Sequence, residues 1–145
     1  MGRSASGVRG MKLRNNDRVI SMSVIPKTEQ ANNELIVILE NGFGKRSKLS
    51  LFDIQKRGGV GIKAANVTTK TGNVVDARIV DQNEQGTAIL VSKNGIVIRL
   101  ESSSIKLLGR VTQGVTLMRL GKDDKVASVA IVPKTEEIEE IQISN

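Results

Sequence analysis

Histidine, cysteine, tyrosine and tryptophan are all missing from the 145 residues, and Phe43 and Phe52 are the only aromatic side chains. Each absence removes a class of chemistry. Without cysteine there are no disulfides and no thiolate metal sites. Without histidine the usual proton shuttle and the commonest transition-metal ligand are gone. Two aromatics cannot build a stacking platform for unpaired bases. No cofactor is expected. No run of 18 apolar residues occurs, so no membrane-spanning helix is expected, and the first residues lack a signal-peptide core. A cytoplasmic location follows as an expectation.

What remains is an aliphatic, charged chain, 39% hydrophobic and 26% charged, which is a globular composition. The formal charge is +7, unevenly spread. Residues 133–145 carry four glutamates and one lysine, which leaves +10 on residues 1–132. A basic body with an acidic tail suits a polyanionic partner, or is simply a basic protein without one. The expected division is 1–132 as repeated blades, a half-blade plus two full repeats, and 133–145 as the tail. That tail is either a solvated end or a competitor for the basic face.

Laid against itself, the chain repeats every 53–54 residues. Arg3 to Gly7, Arg57 to Gly61 and Arg110 to Gly114 share one Arg-x-x-x-Gly spacing, each followed by an apolar residue. After each glycine an apolar strand, a polar turn and a second strand are expected. They fall at 11–13 and 19–25, at 62–67 and 74–80, and at 115–120 and 126–132. The turns between them hold Asn15-Asn16-Asp17, Lys70 to Asn73 and Gly121 to Asp124. A second block matches residues 35–42 to 88–95 and ends in Asn41-Gly42 and Asn94-Gly95, signals for type I′ hairpins. Arg46 and Arg99 stand at equivalent places in the strands that follow. Four strands per period, in two hairpins, predict an all-β fold: a partial β-pinwheel or propeller-like array of four-stranded antiparallel blades. Residues 26–33 read as a polar loop, and 50–54 and 102–107 as short helical or turn segments.

Gln55, Lys56, Arg57, Gly58, Gly59 and Gly61 form the densest motif. Glycines at three of four positions suit a tight turn whose N–H groups, with two cations beside them, could take a phosphate. The alternative is an ordinary glycine turn with incidental charges. Arg3 and Arg110 repeat the Arg57 position. Lys45, Arg46, Lys48 and Arg99 make a second cationic set, unless Arg46 and Arg99 are paired with Glu40 or Glu101. Cations recurring along a curved rim would contact phosphates without reading bases.

The Gly-Arg-x-x-x-Gly-Val repeat, the segment Glu40 to Arg46 and the pattern Gln-basic-Arg-Gly-Gly-x-Gly at 55–61 resemble the C-terminal domain of the DNA gyrase A protein. That resemblance covers essentially all of the chain except the acidic tail, as the last two to three blades of a six-bladed pinwheel. It implies a module that wraps double-stranded DNA for ATP-dependent negative supercoiling by a bacterial, nucleoid-associated type II topoisomerase. Its partners would be the gyrase B protein and the rest of gyrase A, with self-association a further expectation for an incomplete ring. The chain itself is expected not to be an enzyme, because it holds neither the DNA-cleaving tyrosine nor a Gly-Lys-Ser/Thr nucleotide loop. Alternatives are the C-terminal domain of the related topoisomerase IV and a protein-interaction blade array with a basic rim.

Overall fold

Two antiparallel hairpins form the centre of the molecule, and strands from later in the chain complete a sheet around each. The computed structural model describes residues 3–83 and 86–134. The first hairpin is β1 (Asn33–Leu39) with β2 (Phe43–Lys48). β3 (Val74–Asp81) comes next, followed by the second hairpin, β4 (Gly86–Ser92) with β5 (Val97–Glu101). Last are β6 (Val115–Thr116) and β7 (Val126–Pro133). One sheet runs β3-β1-β2-β6 and the other β5-β4-β7. The described residues contain no α-helical element. The expected polar loop is a 3-10 turn, Lys27–Asn32, and shorter ones at Leu49–Leu51 and Ser102–Ser104 follow the hairpins.

The β1 sequence explains its central place. Its β-branched and leucine run alternates between two apolar environments, because successive side chains point to opposite faces. Ile36 and Ile38 enter the larger core with Val80, Leu90, Ile105 and Val129. Val37 and Leu39 enter a smaller one with Ala65. A strand buried on both faces reads as a continuous apolar run rather than an alternating one.

Several expected elements differ. The Asn-Gly turns do close the hairpins, but not as type I′, which needs positive φ at both central residues. Only Gly42 (φ 89°) and Gly95 (φ 88°) are left-handed there. The Gly42 and Gly95 amides donate to the Leu39 and Ser92 carbonyls, the pattern of a type I turn followed by a left-handed glycine. The polar turns at 70–73 and 121–124 do not close hairpins at all. β3 pairs with β1 and β7 with β4, while β6 crosses to β2. The first two periods each contribute one hairpin, and the second and third lend their other strands to hairpins that precede them in the chain. The register slips at the same place in both sheets, between Ile38 and Leu39 and between Val91 and Ser92.

The expected strands at 11–13, 19–25 and 62–67 are not strands, apart from a single bridge between Met11 and Gly59. Their apolar pattern is sound, but a strand needs an edge. Residues 19–25 correspond to β3 and β7, which pair with preceding hairpins, and no described hairpin precedes residue 19. Of the strand expected at 115–120, only Val115–Thr116 is regular. The acidic stretch 135–145 lies outside the described residues.

Candidate nucleic-acid interface

The glycine motif is braced by the segment that follows the first repeat's glycine. Gly58 N–H donates to the Gly10 carbonyl at 2.8 Å, and Lys12 N–H donates to the Gly59 carbonyl at 2.8 Å. Gly58 (φ 78°) and Gly61 (φ 79°) both take left-handed backbone, which suits only glycine without strain. Gln55 turns back to the Asp53 carbonyl at 3.2 Å. Lys56 and Arg57 project into solvent. The expected cradle of uncovered N–H groups is thus only partly realised, because the Gly58 amide is spent on the brace. The cations remain.

The same joint recurs one period later. Asn66 N–H donates to the Thr112 carbonyl at 3.0 Å, so each Arg-x-x-x-Gly turn after the first rests on the segment behind it. Gly7, Gly61 and Gly114 share φ values of 87°, 79° and 81°. Arg110 is half-buried and its guanidinium donates to the Lys63 carbonyl at 2.8 Å. Arg3 is exposed.

The second cationic set separates. Lys48 and Arg99 are exposed. Lys45 is completely buried, at 0% exposure. Its ammonium donates to the carbonyls of Gly109 (2.9 Å) and Arg110 (2.7 Å) and to Thr112 Oγ1 (3.1 Å). Burial, with Arg110 nearby as a second positive charge, pulls its pKa down to about 8. It therefore anchors the third turn from inside and leaves the set of phosphate contacts. Arg46 is also withdrawn. It ion-pairs with Glu34 at 2.6 Å and donates to the carbonyls of Ile105 and Ser103. Neither Glu40 nor Glu101 is its partner. Glu34 lies diagonally across the β1–β2 ladder, where Ile36 faces Arg46, within reach of a long side chain.

Glu40 instead joins three repeats. It caps the first hairpin's turn, accepts from Asn73 N–H at 2.9 Å and pairs with Lys125 at 2.7 Å. Lys125, then Asn73, hold its carboxyl below the usual range against the opposing effect of burial. Asp124 ties the second hairpin similarly, accepting from Asn94 N–H at 3.0 Å. Its hydrogen bond with Ser92, then those with backbone amides, lower its pKa.

Arg9 and Lys12 are cations that motif reading misses. Pairing of 10–12 with 58–59 puts them on the residues next to the glycine motif, and both are exposed. Their signal is the basic spacing Arg9, Lys12, Arg14 directly after Gly7, which by itself looks only like the start of a strand.

Comparison with known proteins agrees with this geometry. The family model described as DNA gyrase C-terminal domain, beta-propeller, matches residues 1–26, 33–81 and 87–133. The DNA gyrase A protein of Thermotoga maritima is 44% identical over 132 residues, 91% of this chain and 16% of that protein. Its Staphylococcus aureus counterpart is 40% identical over 141 residues, 96% of this chain and 15% of that protein. The chain thus spans about a sixth of the length of these relatives. Among solved structures, a DNA gyrase A C-terminal domain aligns with TM-score 0.62 and 31% identity, covering 68% of this chain and 33% of that one. The C-terminal domain of DNA topoisomerase IV aligns with TM-score 0.64 at 20% identity, over 74% of this chain and 32% of that one, a likeness of fold. With the family model matching all three repeats, this chain belongs to the DNA gyrase A C-terminal, beta-propeller family.

Proposed function

We propose that this chain binds double-stranded DNA without sequence preference and bends it along its edge, as the wrapping module of a gyrase A protein. The observation that carries this reading is the braced glycine motif, which presents Lys56 and Arg57 to solvent on a backbone fixed by Gly10 and Lys12. Arg3, Lys48, Arg99 and Arg110 extend the cationic set, and Arg9 and Lys12 join it beside the motif. Lys45 and Arg46 serve it indirectly, by holding the turn at 109–112 and the 103–105 segment against β2.

Side chains of this kind bind phosphates and leave base edges unread, so affinity follows charge and not sequence. Smooth bending of a 20–30 bp site by 40–90° costs on the order of 1–6 kcal/mol, which several phosphate contacts offset. In this reading the chain works with the remainder of gyrase A and with gyrase B in the bacterial cytoplasm. Strand cleavage and ATP hydrolysis belong to those other parts. The domain division is residues 1–132 as blades with 133–145 as an acidic tail.

A gel-shift salt titration of the wild type and of a Lys56→Ala, Arg57→Ala variant tests the reading. The variant is expected to bind more weakly and with a salt slope shallower by about 2, at roughly 0.9 per phosphate lost. An unchanged affinity and slope would remove the glycine motif from the interface.

A further inference from the structure

We propose that Asn94 is a site of spontaneous covalent modification, where the side-chain amide closes on the Gly95 nitrogen and is lost as ammonia, while the fold protects the chemically identical pair Asn41-Gly42. Asparagine is among the thermolabile residues, and a following glycine offers no Cβ to hinder the ring closure. The two pairs are matched in their main chain. Each follows the first strand of its hairpin and ends in a left-handed glycine, φ 89° at Gly42 and 88° at Gly95. Each glycine N–H donates to the carbonyl three residues back, Leu39 at 3.1 Å and Ser92 at 3.0 Å. What differs is the asparagine side chain. Asn41 Nδ2 donates to the Lys70 carbonyl at 3.0 Å and to the Thr69 carbonyl at 3.3 Å, so the amide must leave both before its carbon can reach the Gly42 nitrogen. Asn94 is exposed, and among the described residues no hydrogen bond holds its side chain.

The difference arises in two turns of the chain itself, one before β3 and one before β7. In the first, the Asn41 main-chain N–H donates to the Thr71 carbonyl at 2.9 Å. Thr68, Gly72 and the buried Thr71 hydroxyl hold that turn closed, with its carbonyls at 69 and 70 on the Asn41 amide. The second turn is one residue shorter, counted from Leu39 to its partner Val74 and from Ser92 to its partner Val126. There Asp124 Oδ1 takes the place of the Thr71 carbonyl and accepts the Asn94 N–H at 3.0 Å. The main chain of residue 94 is held as firmly as that of residue 41, but its amide is not. In the reaction a bond forms between Gly95 N and Asn94 Cγ, the Cγ–Nδ2 bond breaks, and the Gly95 amide proton leaves with the nitrogen as ammonia. Water then opens the five-membered imide. Addition at Cγ gives aspartate, and addition at the main-chain carbonyl carbon of residue 94 gives isoaspartate, with the chain running on through Cγ. Isoaspartate puts one extra atom into the main chain between Ser92 and Ile96. That span is bridged from Ile96 N–H to Ser92 Oγ at 3.0 Å and from Ser92 N–H to the Ile96 carbonyl at 2.8 Å. Either product also adds a negative charge to a residue whose N–H the Asp124 carboxylate already accepts.

Peptide mass mapping of the folded chain, aged in mildly alkaline buffer, reads each site from the mass gained when an amide becomes an acid. No DNA is present, so the result is independent of the DNA-binding reading. Asn94 is expected to convert at least about tenfold faster than Asn41, the scale of rate lost when a reacting group is held off its productive geometry. The same chain unfolded in guanidinium chloride is the control. There the two sites should convert at similar rates, since each is an Asn-Gly pair followed by a bulky apolar residue, Phe43 or Ile96. Enzymatic methylation specific for isoaspartate should label the aged folded chain in the peptide that holds residue 94. Equal conversion of the two sites in the folded chain, faster conversion at Asn41, no conversion at Asn94 while the unfolded chain converts, or a preference for Asn94 that survives unfolding would overturn the proposal.

Discussion

Lys45 shows how little residue type says about role. In the sequence it is one cation among 22, directly before Arg46 and two residues after Phe43. In the fold it is fully buried and spends its three donors on one turn. Lys45→Met keeps the aliphatic volume but takes the donor from the Arg110 carbonyl, while the Gly109 carbonyl still accepts from Ser47 and Thr112, so we expect it to lower unfolding stability by about 1–3 kcal/mol in urea titrations. Its pKa gives a second readout. The folded value, about 8, lies below the ordinary 10.5, so between these values the unfolded chain binds more protons. Lys45 thus makes stability rise with pH across that window, and Lys45→Met should flatten the rise. A wild-type slope retained in the variant would show that another group is responsible.

At the scale of elements, one apolar core draws on all three repeats, and polar contacts tie the turns between them. Gly114 and Gly95 separate two costs of replacing a left-handed glycine. Alanine at 95 meets open space and pays only backbone strain, about 1 kcal/mol. At 114 it also pushes against the Gly44 backbone, so β6 must shift, and we expect a loss larger by about 1–3 kcal/mol. Comparing the two variants by chemical denaturation measures the difference. Glu40 and Asp124 tie hairpin turns to later repeats, and both are depressed below their ordinary values of 4.5 and 3.8. Their stabilisation is complete above those ordinary values and is lost as pH falls through the lower folded ones. Acid unfolding is therefore expected to begin below about pH 4.5, and Glu40→Gln should reduce the pH dependence of stability in that range. The hairpin turns and β1 were legible in the sequence because Asn-Gly and a run of β-branched residues are local signals. The destination of β3, β6 and β7 was not, because a polar turn between two apolar runs looks the same whether the runs pair with each other or with different sheets.

For the molecule as a whole, the withdrawal of Lys45 and Arg46 lowers the number of phosphates it can neutralise. Arg3, Lys48, Lys56, Arg57, Arg99 and Arg110 together give an expected salt slope of about −5, and Arg9 with Lys12 would steepen it to about −7. Arg9→Ala with Lys12→Ala should therefore return a slope near −5 in a salt titration of DNA binding, and an unchanged slope would place both outside the interface. Arg46→Ala should act differently. It leaves Glu34 buried without its partner, so the expected effect is lost stability, with little change in the salt slope.

The amino-acid order alone determined the repeat, the two hairpins, the all-β class and the list of chemistries this chain lacks, since each is set by residue type at short spacing. Only the tertiary structure decided which strand closes which sheet and which cations face outward. Both depend on edges and backbone carbonyls brought together from tens of residues away, as Lys45 meets Gly109 and Arg46 meets Ile105. Burial turns a positive charge from a surface ligand into an internal brace, and burial is a property of the packed molecule.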